Sequence, residues 1–270
     1  MKNKDHIKLI ILAVVTLVAY IPTFIWMVER WIAAETYYSH GFLIPFISIF
    51  IVWNKRKELV SLPRMPLSLG WVLFCSGIVI HMVSALWQVY FSSGFSLILV
   101  IMGIILLFLG KEFLRKLMFP VLFLTFMIPL PLVAIANISF QLKIFASQVA
   151  TVIVNKIGIY AVREGSVIKT AHSYVVVEDP CSGIRSLIAL IALGVLMGYL
   201  SNISRPRKLV LSLSSIPIAL CSNILRITIL ALISEIYGPN VATGKVHDIM
   251  GFLVFVFAFI GLTLVRKILE

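Results

Sequence analysis

A cysteine, an arginine and a histidine together can carry out acyl transfer, and this chain offers Cys181, Arg226 and His247. Cys181 stands in Glu178-Asp179-Pro180-Cys181-Ser182-Gly183-Ile184-Arg185-Ser186, where a polar segment runs into a long apolar one. Asp179 fits a helix N-cap and Pro180 the first helical position, so Cys181 is expected in the first turn. There the helix dipole and exposed backbone N–H groups favour the thiolate, which is the nucleophilic form. The competing reading is a small buried residue where a helix begins. Arg185, at i+4, is expected on the same face, either stabilising the thiolate, binding substrate or pairing with Glu178 or Glu235.

Arg226 falls inside an apolar run. About 17 residues into that run, at about 1.5 Å each, it lies about 26 Å across a hydrocarbon core about 30 Å thick. An intramembrane arginine is costly unless it faces a cavity or a partner, which makes it a functional candidate, with snorkelling to the interface as the alternative. Asn223, one turn earlier, can orient the guanidinium or act as interhelical glue. His247 opens the last apolar run, and its near-neutral pKa suits deprotonating a thiol and protonating a leaving amine, although a lone histidine there can also be a cap. The three types divide naturally into nucleophile, oxyanion or substrate clamp, and acid/base. His40, in Tyr37-Tyr38-Ser39-His40-Gly41, is a possible supporting residue beside the same outer surface.

The remaining candidates read as structural. His6 and His172 are expected in solvent, His81 as an internal hydrogen-bond partner, and Cys75 and Cys221 as packing inside apolar helices. There is no CxxC pair, no HExxH, no GxSxG, no pair of intramembrane aspartates and no glycine-rich nucleotide loop. These absences argue against zinc, rhomboid-like and aspartyl proteases, and no metal or cofactor is expected.

The elements that position these residues follow from hydropathy. The 270 residues are 61% hydrophobic and 13% charged, with mean hydropathy +1.08, the composition of a polytopic membrane protein. The net charge of +12 sits in short clusters between apolar runs, which reports orientation and not a nucleic-acid partner. Placing those clusters in the cytoplasm gives an all-α bundle of about eight transmembrane helices, N-in and C-in. Crossings are expected over 7 to 28, 40 to 53, 69 to 89, a run ending at 110, 117 to 136, 180 to 200, 209 to 237 and 247 to 265. A tight external turn is expected near Ser92-Ser93-Gly94. Pro129 and Pro131 should kink or break the outer end of the fifth crossing. An extracytoplasmic insert over 137 to 179 should hold an amphipathic helix and a short hairpin. Gly194 and Gly198 form a GxxxG pair for close packing. This topology brings Cys181, Arg226 and His247 to the outer leaflet of a cytoplasmic (inner) membrane.

At these residues the chain resembles the exosortase/archaeosortase family of polytopic membrane transpeptidases. The resemblance is carried by Tyr38-Ser39-His40-Gly41-Phe42-Leu43, Arg163-Glu164-Gly165, Pro180-Cys181-Ser182-Gly183-Ile184-Arg185-Ser186, Asn223-Ile224-Leu225-Arg226, and His247 with Gly251. It implies a single domain over 1 to 270, a cysteine transpeptidase of PEP-CTERM-type sorting that acts outside the membrane. Its partners would be exported proteins with a C-terminal sorting signal and an acceptor, lipid- or polysaccharide-linked. Cys181 then resembles the nucleophile, Arg226 the oxyanion or substrate-positioning residue and His247 the acid/base, with Arg185, Asn223, Glu178 and His40 in support. The alternatives are simple hydrolysis of the tail and a non-enzymatic component of exopolysaccharide export or assembly.

Overall fold

Apolar runs punctuated by proline, glycine and basic clusters become helices separated by short breaks. The computed structural model describes residues 3–33, 36–177, 182–239, 241 and 245–270, without the side chains of 3–6, 245, 247 and 248. The chain divides into two compact units, Met1–Pro131 and Leu132–Glu270.

The first unit contains α1 (Asn3–Ala19), α2 (Ile21–Ile32), α3 (Leu43–Asn54), α4 (Arg56–Val60), α5 (Leu69–Leu86), α6 (Tyr90–Phe108) and α7 (Lys111–Phe123), the last followed by a 3-10 turn at Leu124–Met127. Pro22 opens α2, and the α1/α2 pair bends by 55°. At that bend Tyr20 Oη is 2.7 Å from Ser96 Oγ, and its ring stacks on His81 at 3.9 Å. Thr23 Oγ1 lies 2.7 Å from Ser93 Oγ, which is also 2.8 Å from His81 Nδ1. His81 is therefore the internal partner expected. The same serines correct the expected turn at Ser92-Ser93-Gly94. Those residues lie inside α6 with their hydroxyls bonded between helices or to the preceding turn, and the chain reverses earlier, where Gln88 has φ 55°.

The second unit begins with α8 (Leu132–Lys156) and a three-stranded antiparallel meander, β1 (Ala161–Glu164), β2 (Val167–Thr170) and β3 (Tyr174–Val176). It continues with α9 (Ile184–Leu200), α10 (Arg205–Tyr237) and α11 (Lys245–Leu269). The expected hairpin thus has a third strand. Its apolar face, Ala161, Ile168 and Val177, shares a buried cluster with Ala146, Ala150 and Val154 of α8 and Ile224, Ile227 and Ala231 of α10. Asn155 is exposed on α8, yet its amide is fully engaged. It donates to Ala161 O at 2.8 Å and accepts from Ala161 N–H at 3.0 Å, clamping the start of β1 to α8.

Among the described residues five helices, α5, α6, α8, α10 and α11, are long and apolar enough to cross a membrane, or six crossings if α1 and α2 form one. Helices α3 and α9 are shorter apolar segments of 12 and 17 residues. The chain is thus a multi-pass, predominantly helical membrane protein. Most of the residues expected as an amphipathic surface helix form the 25-residue α8. The break expected from Pro129 and Pro131 occurs, since helix stops at Met127 and resumes at Leu132. Cys75 and Cys221 are exposed on their helices, which corrects their reading as packing residues.

Helix α10 is the axis of the second unit, and glycines let its neighbours approach. A methyl at Gly194 would stand 3.0 Å from Ser215 Cβ, and one at Gly198 would stand 3.1 Å from Lys208 O, as expected of the GxxxG pair. On the other side a methyl at Gly261 would lie 3.2 Å from Ile218 Cγ2, and Arg207 Nη1 donates to Leu269 O at 3.0 Å. The contacts run in opposite directions along the sequence, so both neighbours are antiparallel to α10. Gly198→Leu is expected to wedge α9 from α10 and lower stability by about 1–3 kcal/mol, read as a fall in Tm in detergent. Leu200→Ala, at a side chain that is 63% exposed, should leave Tm nearly unchanged.

Candidate active site

Because α9 and α11 are both antiparallel to α10, their N-terminal ends lie at the same end of it. Asn223 and Arg226, one turn apart on α10, meet those two ends. Gly183, the N-cap of α9, has φ 82° and ψ −1°, a left-handed conformation that glycine adopts without strain. A methyl there would stand 2.7 Å from Asn223 Cγ and 2.8 Å from its Nδ2. The backbone at Gly183 is thus laid directly on the Asn223 side chain, which is 3% exposed. On α11 a methyl at Gly251 would stand 3.5 Å from Arg226 Nη2 and 3.8 Å from Cζ, so the guanidinium lies against the bare face of that glycine. Position 247 is one turn before position 251 on the same helical face.

The bend that follows Cys181 is held locally. Ile184 N–H donates to Ser182 Oγ at 3.4 Å, Ser186 Oγ donates to Gly183 O at 2.8 Å, and Ser182 is 1% exposed. The chain preceding the cysteine is equally fixed. Val177 is 1% exposed, and its N–H donates to Ser166 O at 3.0 Å. The meander is tied to α10 by Glu235, which accepts from His172 N–H at 3.2 Å and lies 2.8 Å from His172 Nδ1. Ser173 Oγ lies 2.5 Å from Ser234 Oγ, and Ser234 Oγ donates to Tyr174 O at 3.1 Å. Nothing in the sequence pointed to these ties, because their partners are some 60 positions apart. His172 is solvent-facing as expected, but it has this partner.

Among the expected site residues, Cys181 and Glu178 lie outside the described residues, and so does the side chain of His247. The expected cap at Asp179 and first helical position at Pro180 also fall there. Ser182 and Gly183 form a bend, however, so α9 begins at Ile184 and the expected helical i, i+4 relation between Cys181 and Arg185 does not hold. Asn223 and Arg226 are placed as described. Arg185 is in the first turn of α9, and the carboxylate of Glu235 is found on His172.

His40 belongs to the first unit. Its ring stacks on Tyr38 at 5.7 Å, and both ring nitrogens are buried without a hydrogen-bond partner among the described residues. Burial lowers its pKa from 6.5 to about 4, so it is neutral near pH 7. Tyr38 Oη accepts from Leu130 N–H at 3.1 Å, and Trp31 Nε1 donates to Met127 O at 2.8 Å while its ring covers Gly41. The Tyr38-Ser39-His40-Gly41 segment is thus pinned to the chain around the proline break. Among the described residues no group of three or more His, Cys, Asp or Glu could hold a metal ion.

Two expectations follow. Gly183→Ala forces a side chain into both a left-handed backbone and the Asn223 amide, with a cost of about 1–2 kcal/mol for the backbone alone. Adding Asn223→Ala should recover part of the lost Tm, and additive losses would refute the contact. For His40 the folded pKa lies below that of the unfolded chain, which takes up the proton first, so stability is present above about pH 6.5 and falls as pH drops toward 4. Between those values the Tm of wild type should fall more steeply than that of His40→Leu.

Compared with known proteins, residues 26–264 match the protein-family model described as transmembrane exosortase (Exosortase_EpsH). No curated protein and no solved structure matches.

Proposed function

The chain belongs to the transmembrane exosortase family, and from that premise we propose that it is a membrane cysteine transpeptidase with Cys181 as nucleophile, Arg226 as oxyanion or substrate clamp and His247 as acid/base. One observation carries the reading. The glycine two residues after Cys181 and the glycine one turn after His247 rest on Asn223 and Arg226, within a single turn of α10. Three chain segments far apart in sequence therefore converge where the reading requires them.

In the proposed reaction the Cys181 thiolate attacks a carbonyl carbon in the C-terminal sorting tail of an exported protein. Negative charge grows on the carbonyl oxygen, where the Arg226 guanidinium offsets it. His247, protonated by the thiol, gives that proton to the departing amine as the C–N bond breaks, leaving a thioester. An acceptor then loses a proton to His247, attacks the thioester and releases Cys181. Asn223 holds the bend on which the nucleophile is mounted. The acceptor is proposed to be a lipid- or polysaccharide-linked group. The site is assigned to the extracytoplasmic side of the cytoplasmic membrane, because it lies at the end of α10 opposite Arg205, Arg207 and Lys208. The family match extends through both units, which supports treating 1 to 270 as one functional domain.

Coexpression with a reporter bearing a sorting tail tests the assignment. Cys181→Ala should abolish processing, and His247→Ala and Arg226→Ala should each reduce it by about 100-fold or more, at unchanged membrane abundance. Undiminished cleavage by Cys181→Ala would remove the nucleophile assignment. A product retaining an added acceptor mass would identify transfer, and a free carboxyl terminus would identify hydrolysis.

A further inference from the structure

Arg185 has no assigned work. It is partly buried, and its Nε is fully enclosed with no hydrogen-bond partner among the described residues. Each described carboxylate side chain in the second unit is engaged elsewhere. Glu164 holds Lys169 at 2.6 Å, Glu235 holds His172 at 2.8 Å and Glu270 holds Arg266 at 2.8 Å. A guanidinium edge removed from water with its donor unmet is costly, and the cost is relieved when an anion arrives. Its planar fork of donors matches a carboxylate in two parallel hydrogen bonds.

We propose that Arg185 forms a substrate subsite that receives a carboxylate side chain of the sorting tail, within about four residues of the scissile bond. The proposal rests on the reading of Cys181 as nucleophile. The four-residue step from Cys181 to Arg185 spans at most about 14 Å of chain. Helical side chains also tilt toward the N-terminus of their helix, so a first-turn arginine reaches back toward Gly183 and the segment that carries the cysteine. A peptide whose carbonyl sits at the nucleophile brings its neighbouring side chains within that radius. One guanidinium balances one carboxylate. A phosphomonoester or pyrophosphate headgroup would need a second cation, and Arg226 is committed to the oxyanion. The subsite thus makes Arg185 a determinant of which tails are accepted, separate from the bond-breaking groups.

The test uses the full-length protein and a reporter tail that wild type processes, with each acidic residue near the cleaved bond changed singly to its amide. One such change should lower kcat/KM for wild type by roughly 10- to 100-fold. The same change should cost nothing further in Arg185→Gln, and Arg185→Glu should prefer a tail with lysine at that position. Additive losses would overturn the proposal. So would an equal loss by Arg185→Gln on acidic and neutral tails, or its reproduction by Glu178→Gln, which would make Arg185 an internal ion-pair partner. Normal cleavage with slowed transfer would overturn it in favour of the acceptor. Binding of the uncleaved acidic and amide tails to Cys181→Ala, with and without Arg185→Gln, reads the subsite independently of the nucleophile. A preference for the acidic tail that disappears with Arg185→Gln supports the subsite even if Cys181→Ala still cleaves, and no preference overturns it.

Discussion

The second unit depends on how closely α9 and α11 can approach α10. Between helices in a bilayer there is little hydrophobic driving force, and association comes from van der Waals contact and hydrogen bonds across close backbones. Glycines 183, 194 and 198 on one side and 251 and 261 on the other supply that closeness, each abutting a specific residue of α10. Together they set an antiparallel register. A slip of one residue along α10 would turn its face by about 100° and carry Asn223 and Arg226 away from both partners. The position of the polar residues is therefore inherited from a seam of small residues that has no chemical role of its own.

Much of this was legible in the sequence, because hydropathy and proline report local backbone constraints directly. The apolar runs became helices, the double proline around 129 interrupted the chain, and the GxxxG pair packed as such pairs do. The failures share another cause. Capping logic placed a helix start at Asp179-Pro180, but Gly183 can take a left-handed conformation that seats the chain on Asn223, a contact invisible from either residue alone. Ser92 and Ser93 looked like a turn because their hydroxyls were counted without the partners that satisfy them, Ser84, Thr23 and His81. Polar residues in a membrane protein are ambiguous until their hydrogen bonds are known.

Of the candidate site itself, the sequence offered the residue types and the expectation that they share one end of the topology. It did not show what holds them. Arg226 was a candidate on cost alone, and the structure adds the bare face of Gly251 that gives its guanidinium room. His40 was placed beside the site from topology. Within its own unit the structure shows an imidazole buried against Tyr38 and neutral near pH 7, in a segment fastened to the proline break.

The meander fixes the chain that leads up to the proposed nucleophile. On one side Val177 is fixed by β-sheet hydrogen bonding and by the apolar cluster it shares with Ile224 and Ile227. On the other, Ser182 and Gly183 are buried, with Gly183 laid on Asn223. Both anchors bear on the same two turns of α10 that present Asn223 and Arg226. The ties from Glu235 and Ser234 to His172, Ser173 and Tyr174 prevent the sheet from lifting away. The residues on either side of the proposed nucleophile are thus ordered during folding by contacts outside the proposed reaction, which is the condition under which positioning accelerates chemistry.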